Sequence, residues 1–262
     1  MALRPTFHLP GRAARLSLAL TLGLLLSACV TTTKTPQQKV DLKKAEQTHV
    51  QAGLGYLRQR DKESARRHFL KALGMNDNSA GAHNGIALVY QLEEEVELAD
   101  KHFRRALKLQ PDFSLARNNY GVFLFQQKRY QEAQKQLAQV AQDFGYNRRH
   151  FALVNLGKTQ RKLGETDAAV KSFKQALGIN YRIAAAHLEL AQLYFDKTEY
   201  TLSKHYLDQF GKMSRQTPKS LWLGIRIERI FGNKDKEASY ALALKNLHPY
   251  SEEYLEYKKT ID

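Results

Sequence analysis

Histidine and cysteine are the side chains whose placement in this 262-residue chain first suggests chemistry. His49 and His83 stand 34 residues apart, as do His68 and His102, and His187 falls at the phase of His83 three intervals later with a slip of two. A helical metal site needs imidazoles four apart or closely spaced cysteines, and the chain has neither pattern. Recurrence every 34 residues instead marks equivalent positions on successive structural units, so no metal is expected. Glu93-Glu94-Glu95 and Glu252-Glu253 could pass for paired catalytic carboxylates. They read as solvated charge at a turn and near a helix start. No Ser/His/Asp or Cys/His arrangement can be argued from spacing. The chain is therefore not expected to be an enzyme, and no catalytic residue, cofactor or small-molecule substrate is expected.

Cys29 is the single cysteine, so no intramolecular disulfide can form. Ahead of it lie Arg4, Arg12 and Arg15, then an apolar run from Leu16 to Leu26 too short to span a bilayer as a permanent helix. Leu26-Ser27-Ala28-Cys29 resembles a bacterial lipobox. That resemblance implies cleavage before Cys29, a diacylglyceryl group on its thiol and an acylated amino terminus. Each buried CH₂ contributes about 0.8 kcal/mol, so several acyl chains together give lasting attachment. Val30, in place of an aspartate, favours the outer membrane, with the protein facing the periplasm. Residues 1–28 are thus expected to be a lipoprotein signal peptide, and 29–45 a lipidated, Thr/Gln/Lys-rich flexible tether, with helix starting near Asp41 or Lys43.

Cleavage would remove three arginines and no acid, taking the formal charge from +15 to about +12. Such a surplus favours anionic partners. Export puts nucleic acid out of reach, leaving lipid headgroups, an acidic partner segment or the cell-wall polymer.

The elements that must position these residues are legible in a second recurrence. Ala65, Phe69 and Ala72 return as Ala99, Phe103 and Ala106, and with one slip as Ala169, Phe173 and Ala176. Spacings of four and three put the trio on one helix face, and small, aromatic and small residues at a 34-residue period mark the tetratricopeptide repeat. Alignment gives units 46–79, 80–113, 114–147, 150–183, 184–217 and 219–252, followed by a tail or capping helix end, 253–262. In the degenerate sixth unit Trp222, Ile225, Ala238, Leu242 and Pro249 take the packing positions. The expected fold is all-α: a solenoid of six antiparallel helical hairpins forming a right-handed superhelix, since one hairpin cannot bury its apolar face alone.

In such a fold the first helix of each hairpin lines the concave face. The residues expected to form a partner-binding groove are Val50, Leu54, Leu57, Asn84, Leu88, Asn118, Asn119, Val122 and Phe125, beyond which Asn155, Lys158 and Arg161 turn the face polar and basic. Apolar groups in a groove suit an amphipathic helix or extended peptide, and asparagine amides can bond a bound backbone. The insertion containing Arg148-Arg149 is expected to offset the superhelix and could clamp a carboxylate.

The run Ala116-Arg117-Asn118-Asn119-Tyr120-Gly121-Val122-Phe123-Leu124, followed by Tyr130-Gln131-Glu132-Ala133, resembles the PilW/PilF family of type IV pilus biogenesis lipoproteins. The resemblance implies a pilotin, which binds the pilus secretin and promotes its outer-membrane localisation and multimerisation, without turnover. An outer-membrane adaptor that scaffolds peptidoglycan enzymes or other envelope assembly complexes is the alternative.

Overall fold

Residues 41–261 are described by the computed structural model; Cys29, the signal and most of the tether lie outside them. The described residues form thirteen helices: α1 (Leu42–Arg58), α2 (Lys62–Met75), α3 (Ala80–Leu92), α4 (Val96–Leu109), α5 (Ser114–Gln126), α6 (Tyr130–Ala141), α7 (Arg149–Lys162), α8 (Thr166–Ile179), α9 (Ala184–Asp196), α10 (Tyr200–Met213), α11 (Pro218–Ile230), α12 (Lys234–Leu247) and α13 (Glu252–Lys258). The first twelve pair into six hairpins and α13 packs on the last of them. Helix α1 starts at Leu42, so residues 42–45 belong to the first hairpin and not to a tether.

Every hairpin turns in the same way. One residue per turn has positive φ: Arg60, Glu94, Lys128, Gly164, Thr198 and Gly232. The residue after it donates its N–H to a carbonyl five positions back, as in Asp61 to Tyr56 (3.0 Å) and Glu199 to Tyr194 (2.8 Å). This is the Schellman closure, which satisfies carbonyls left open at a helix end. Only two of the six left-handed positions are glycine, so the hydrogen bonds hold the other four against the steric cost of a Cβ there.

Within hairpins, and between the first two, the packing is a wedge in a notch. Phe69, Phe103, Leu137 and Phe173 are wholly buried, flanked by equally buried alanines at 65, 99, 133 and 169. Opposite Phe69, Leu137 and Phe173 the notches are cut by glycine. A Cβ on Gly53 would come within 2.6 Å of the Phe69 ring, one on Gly85 within 2.2 Å, and one on Gly121 within 2.6 Å of Leu137. Contacts repeat in kind along the stack: first helices approach the first helices of the neighbouring hairpins closely, whereas the backbones of successive second helices stand apart and meet through long side chains such as Arg104 and Glu132 (3.9 Å). The stack therefore closes up on the first-helix side, which becomes the inner face.

The sixth hairpin departs from its expected register. Ala241 and Leu244 are buried against Leu221 and Ile225, while Ala238 and Leu242 are exposed. The unit begins at 218, 34 residues after the fifth, and a one-residue error rotates a helix by about 100°. Ile225 keeps its assigned place in the core, and Trp222 is only half-buried.

The insertion between α6 and α7 is braced internally. Arg149 donates to the Ala141 carbonyl at the end of α6 (2.6 Å) and stacks over Phe144 at 4.2 Å. A cation at a helix C-terminus is favourable, and this guanidinium is engaged there and not held out as a carboxylate clamp.

The wedge geometry fixes opposite signs for two glycine substitutions. Gly85→Ala should destabilise the protein by about 1–3 kcal/mol through overpacking against Phe69. In Gly178→Ala, at a site with nothing within 4 Å of the added Cβ, better helix propensity should stabilise by up to about 1 kcal/mol. Denaturant midpoints of the two variants and the parent measure both.

Candidate functional site

The inner face is a row of first helices, and its side chains are largely joined to one another. Asn119 Nδ2 donates to Asn84 Oδ1 (3.1 Å), Asn155 Nδ2 to Asn118 Oδ1 (3.3 Å), and Gln91 Nε2 to Gln126 Oε1 (2.6 Å). Farther along, Arg161 pairs with Glu189, and Arg226 donates to Gln192 Oε1 (3.3 Å). Each bond crosses from one hairpin to the next, because close-set first helices leave their amides no room to ignore each other.

This ladder changes the expected groove. Asn84 is 1% exposed and its amide is spent on Asn119, so a partner has no access to it. Val50 is likewise buried, packed with Ala72 and Ala82. Leu54 and Leu57 are half-buried against the Phe69 cluster, and Leu88 and Phe125 lean on the main core, which runs from α3 to α9. Asn118, Asn119 and Val122 are half-exposed. Of the nine residues, seven thus keep some surface and two do not. Tyr120, inside the Asn-Asn-Tyr-Gly string, holds hairpins together: its hydroxyl donates to Asp100 Oδ1 (2.9 Å), which also receives Arg129 (2.7 Å). Burial pushes the Asp100 carboxyl up, but hydrogen bonds from Arg129, Tyr120 and Arg104 outweigh it and hold the carboxyl low. Burial and Asp100 together push the Tyr120 hydroxyl up to about 12.

A concavity of about 380 Å³ lies where α5, α7, α9, α11 and α13 meet, well beyond the first hairpin. Its lining includes Phe125 from the expected set together with Lys158 and Arg161, and adds Leu188, Lys219, Trp222 and Arg226. Four further residues (Lys162, Glu189, Gln192 and Asp196) and Glu253 of α13 complete it. No sequence motif announces this site, since five helices each contribute one to four residues. Within single helices the lining does keep spacings of three and four that share a face, as in Lys158, Arg161 and Lys162 or Lys219, Trp222 and Arg226.

The histidines meet within hairpins. His49 Nδ1 lies 3.0 Å from His68 Nδ1, and His83 Nδ1 lies 2.9 Å from His102 Nδ1. His83 Nε2 is 3.0 Å from the Asp77 carbonyl and must donate to it, so the lone pair of its Nδ1 accepts from His102 Nδ1–H. Both rings are neutral in that arrangement. His187 repeats the theme with an aromatic partner, Tyr206, at 5.9 Å, while its Nε2 donates to the Tyr181 carbonyl (2.8 Å). No cluster of three potential metal ligands occurs among the described residues. Burial, then His83 and Lys101, push the His102 imidazole down to about 4, and burial lowers His83 as well.

Among the described residues no helix is long and apolar enough to cross a membrane. Profiles described as tetratricopeptide repeat match residues 80–113 and 112–181. The chain is 37% identical over 246 residues to the type IV pilus assembly protein PilF of Pseudomonas aeruginosa, an alignment spanning 93% of this chain and 98% of that one. The solved structure of Pseudomonas aeruginosa PilF superposes with a TM-score of 0.80, covering 84% of this chain and 99% of its own. PilW, described as a widely conserved type IV pilus biogenesis factor, superposes at 0.72 with 25% identity over 81% of this chain and 97% of its own.

Depressed imidazole values have a fixed consequence. The unfolded chain takes up protons near pH 6.5, before folded His102 does, so the neutral pair stabilises fully above that pH. Stability should fall progressively as pH drops from about 6.5 towards 4. Thermal melts between pH 7.5 and 5 should show the loss, and His102→Phe should show less of it.

A stack of six tetratricopeptide-type hairpins, aligned almost end to end with a pilus assembly protein in both sequence and structure, identifies this chain as a member of the PilF family.

Proposed function

We propose that the chain is an outer-membrane lipoprotein that acts as a pilotin in type IV pilus biogenesis. It is anchored through acylated Cys29, faces the periplasm and takes hold of the pilus secretin along its inner face. Binding promotes localisation and multimerisation of the secretin and involves no turnover. The observation that carries this reading is the 37% identity, over 98% of its length, to a protein named for type IV pilus assembly. The inner face supports it physically: Leu54, Leu57, Leu88 and Val122 offer half-buried apolar surface, and Asn118 and Asn119 lie partly exposed beside them. Such a strip can take an amphipathic helix or an extended segment.

The mechanism needs no energy source. An acyl anchor on a flexible tether confines captured subunits to a thin layer at the membrane, and the higher effective concentration favours ring closure.

Two substitutions separate capture from delivery. Val122 is half-buried and belongs to no core cluster, so Val122→Glu should leave the melting temperature within a few degrees of the parent and lower secretin co-purification at least about tenfold. Cys29→Ser should leave a folded protein that still binds secretin in detergent extracts, while secretin multimers disappear from the outer-membrane fraction. Undiminished secretin recovery with Val122→Glu would place capture elsewhere.

A further inference from the structure

The cavity at the far end of the inner face has a chemistry of its own, unlike that of the apolar strip near α1. Its apolar wall is built from Trp222, Leu188 and Phe125, and its rim is basic. The Arg226 guanidinium is sandwiched between Phe195 (4.4 Å to the ring centre) and Trp222 (5.3 Å). Stacking aligns it but leaves its charge only partly offset: its hydrogen-bond acceptor is the neutral amide of Gln192, its Nε has no partner, and among the described residues it makes no ion pair, the Asp196 carboxylate acting on it only through the field. Lys158, Lys162 and Lys219 make no ion pairs either among the described residues. Of the acids in the lining, Glu189 is held by Arg161 and Asp196 accepts from Gln192 (2.7 Å). Glu253 stands on the wall formed by α13. Five basic residues thus face three acidic ones, with the least satisfied cation flat against the apolar wall.

We infer that this cavity is a second binding site, one that takes an acidic peptide segment in which an aliphatic or aromatic side chain adjoins a carboxylate. The apolar side chain enters against Trp222 and Leu188, and the carboxylate reaches Arg226 and Lys219. Guanidinium–carboxylate pairing is favoured where stacking has already fixed the fork and stripped its water. The chain's own residues 30–40 cannot be the occupant, because they carry Lys34 and Lys39 and no acid. The inference does not depend on the secretin reading, as the site can be assayed on purified protein alone.

Trp222 is the chain's single tryptophan, so its emission reports on the cavity wall directly. The probe is an end-blocked hexapeptide of alternating aspartate and leucine, titrated at low salt, with its asparagine–leucine counterpart as control. The expected result is a saturable emission shift with the acidic peptide, at least about tenfold weaker with the neutral one and weakened by salt. Lys219→Gln and Arg226→Gln should each weaken the response, the exposed lysine serving as the variant least able to disturb folding. No shift, equal shifts with both peptides, or a shift indifferent to both substitutions would overturn the inference. So would a shift produced by phosphatidylglycerol vesicles and not by the acidic peptide.

Discussion

Everything in this fold depends on a bulky wedge from a second helix fitting a notch in a first helix, in its own hairpin or in the next. Phe69 meets Gly53 in its own hairpin and Gly85 in the next, and Phe173 meets Gly157. A hairpin with one apolar face is unstable alone, so the wedge turns six marginal units into one array in which each touches only its neighbours. The notch brings first helices within reach of each other, while the backbones of second helices remain apart. Curvature and an inner face follow from that asymmetry. So does the amide ladder: helices set this close must pair Asn84 with Asn119 and Asn118 with Asn155 or leave buried polar groups unsatisfied. The constraint that builds the core also uses up part of the surface a partner might have used.

How far the sequence reaches can be judged residue by residue. The trio Ala65, Phe69 and Ala72 and its recurrences are legible because packing there admits few residue types, and the structure buries all of them. The sixth hairpin blurs because Glu237 replaces the small apolar residue, leaving Ala238 and Leu242 as plausible but wrong anchors. Four turns have left-handed residues of types (Arg, Glu, Lys and Thr) that give no turn signal, since hydrogen bonds and not side chains impose the conformation there. The histidine pairs were within reach: 49 to 68 and 83 to 102 share a separation of 19, the distance across one hairpin. The cavity has no linear signature, because its lining comes from five helices.

Two parts of the array also differ in how their charges are settled. Near α5 and α6 the ions form a closed network: Asp100 receives Arg129, Arg104 and Tyr120, and Glu132 takes Arg129 through both oxygens (2.7 Å each). Such a network fixes neighbouring hairpins but has little left to offer a ligand. Around α11 the settlement is incomplete: burial lowers the Arg226 guanidinium below its usual range, and the nearby Asp196 carboxylate offsets this only in part. Unspent charge in a partly dry, aromatic setting is what recognition uses, whereas the same groups fully paired would only add rigidity.

Position along the array gives that difference a thermodynamic meaning. In a quasi-one-dimensional stack the terminal unit has one neighbour and opens most readily. Here α13, only two turns long and without a fully buried residue, rests its Tyr254 and Tyr257 on the cluster that includes Trp222. One wall of the cavity is therefore the least firmly held part of the fold. A ligand spanning Phe125, Lys158, Leu188 and Trp222 would bridge four successive first helices and oppose their separation. Since binding to the closed form alone adds RT ln(1 + [L]/Kd) to stability, occupancy and ordering of this end are linked, and each strengthens the other.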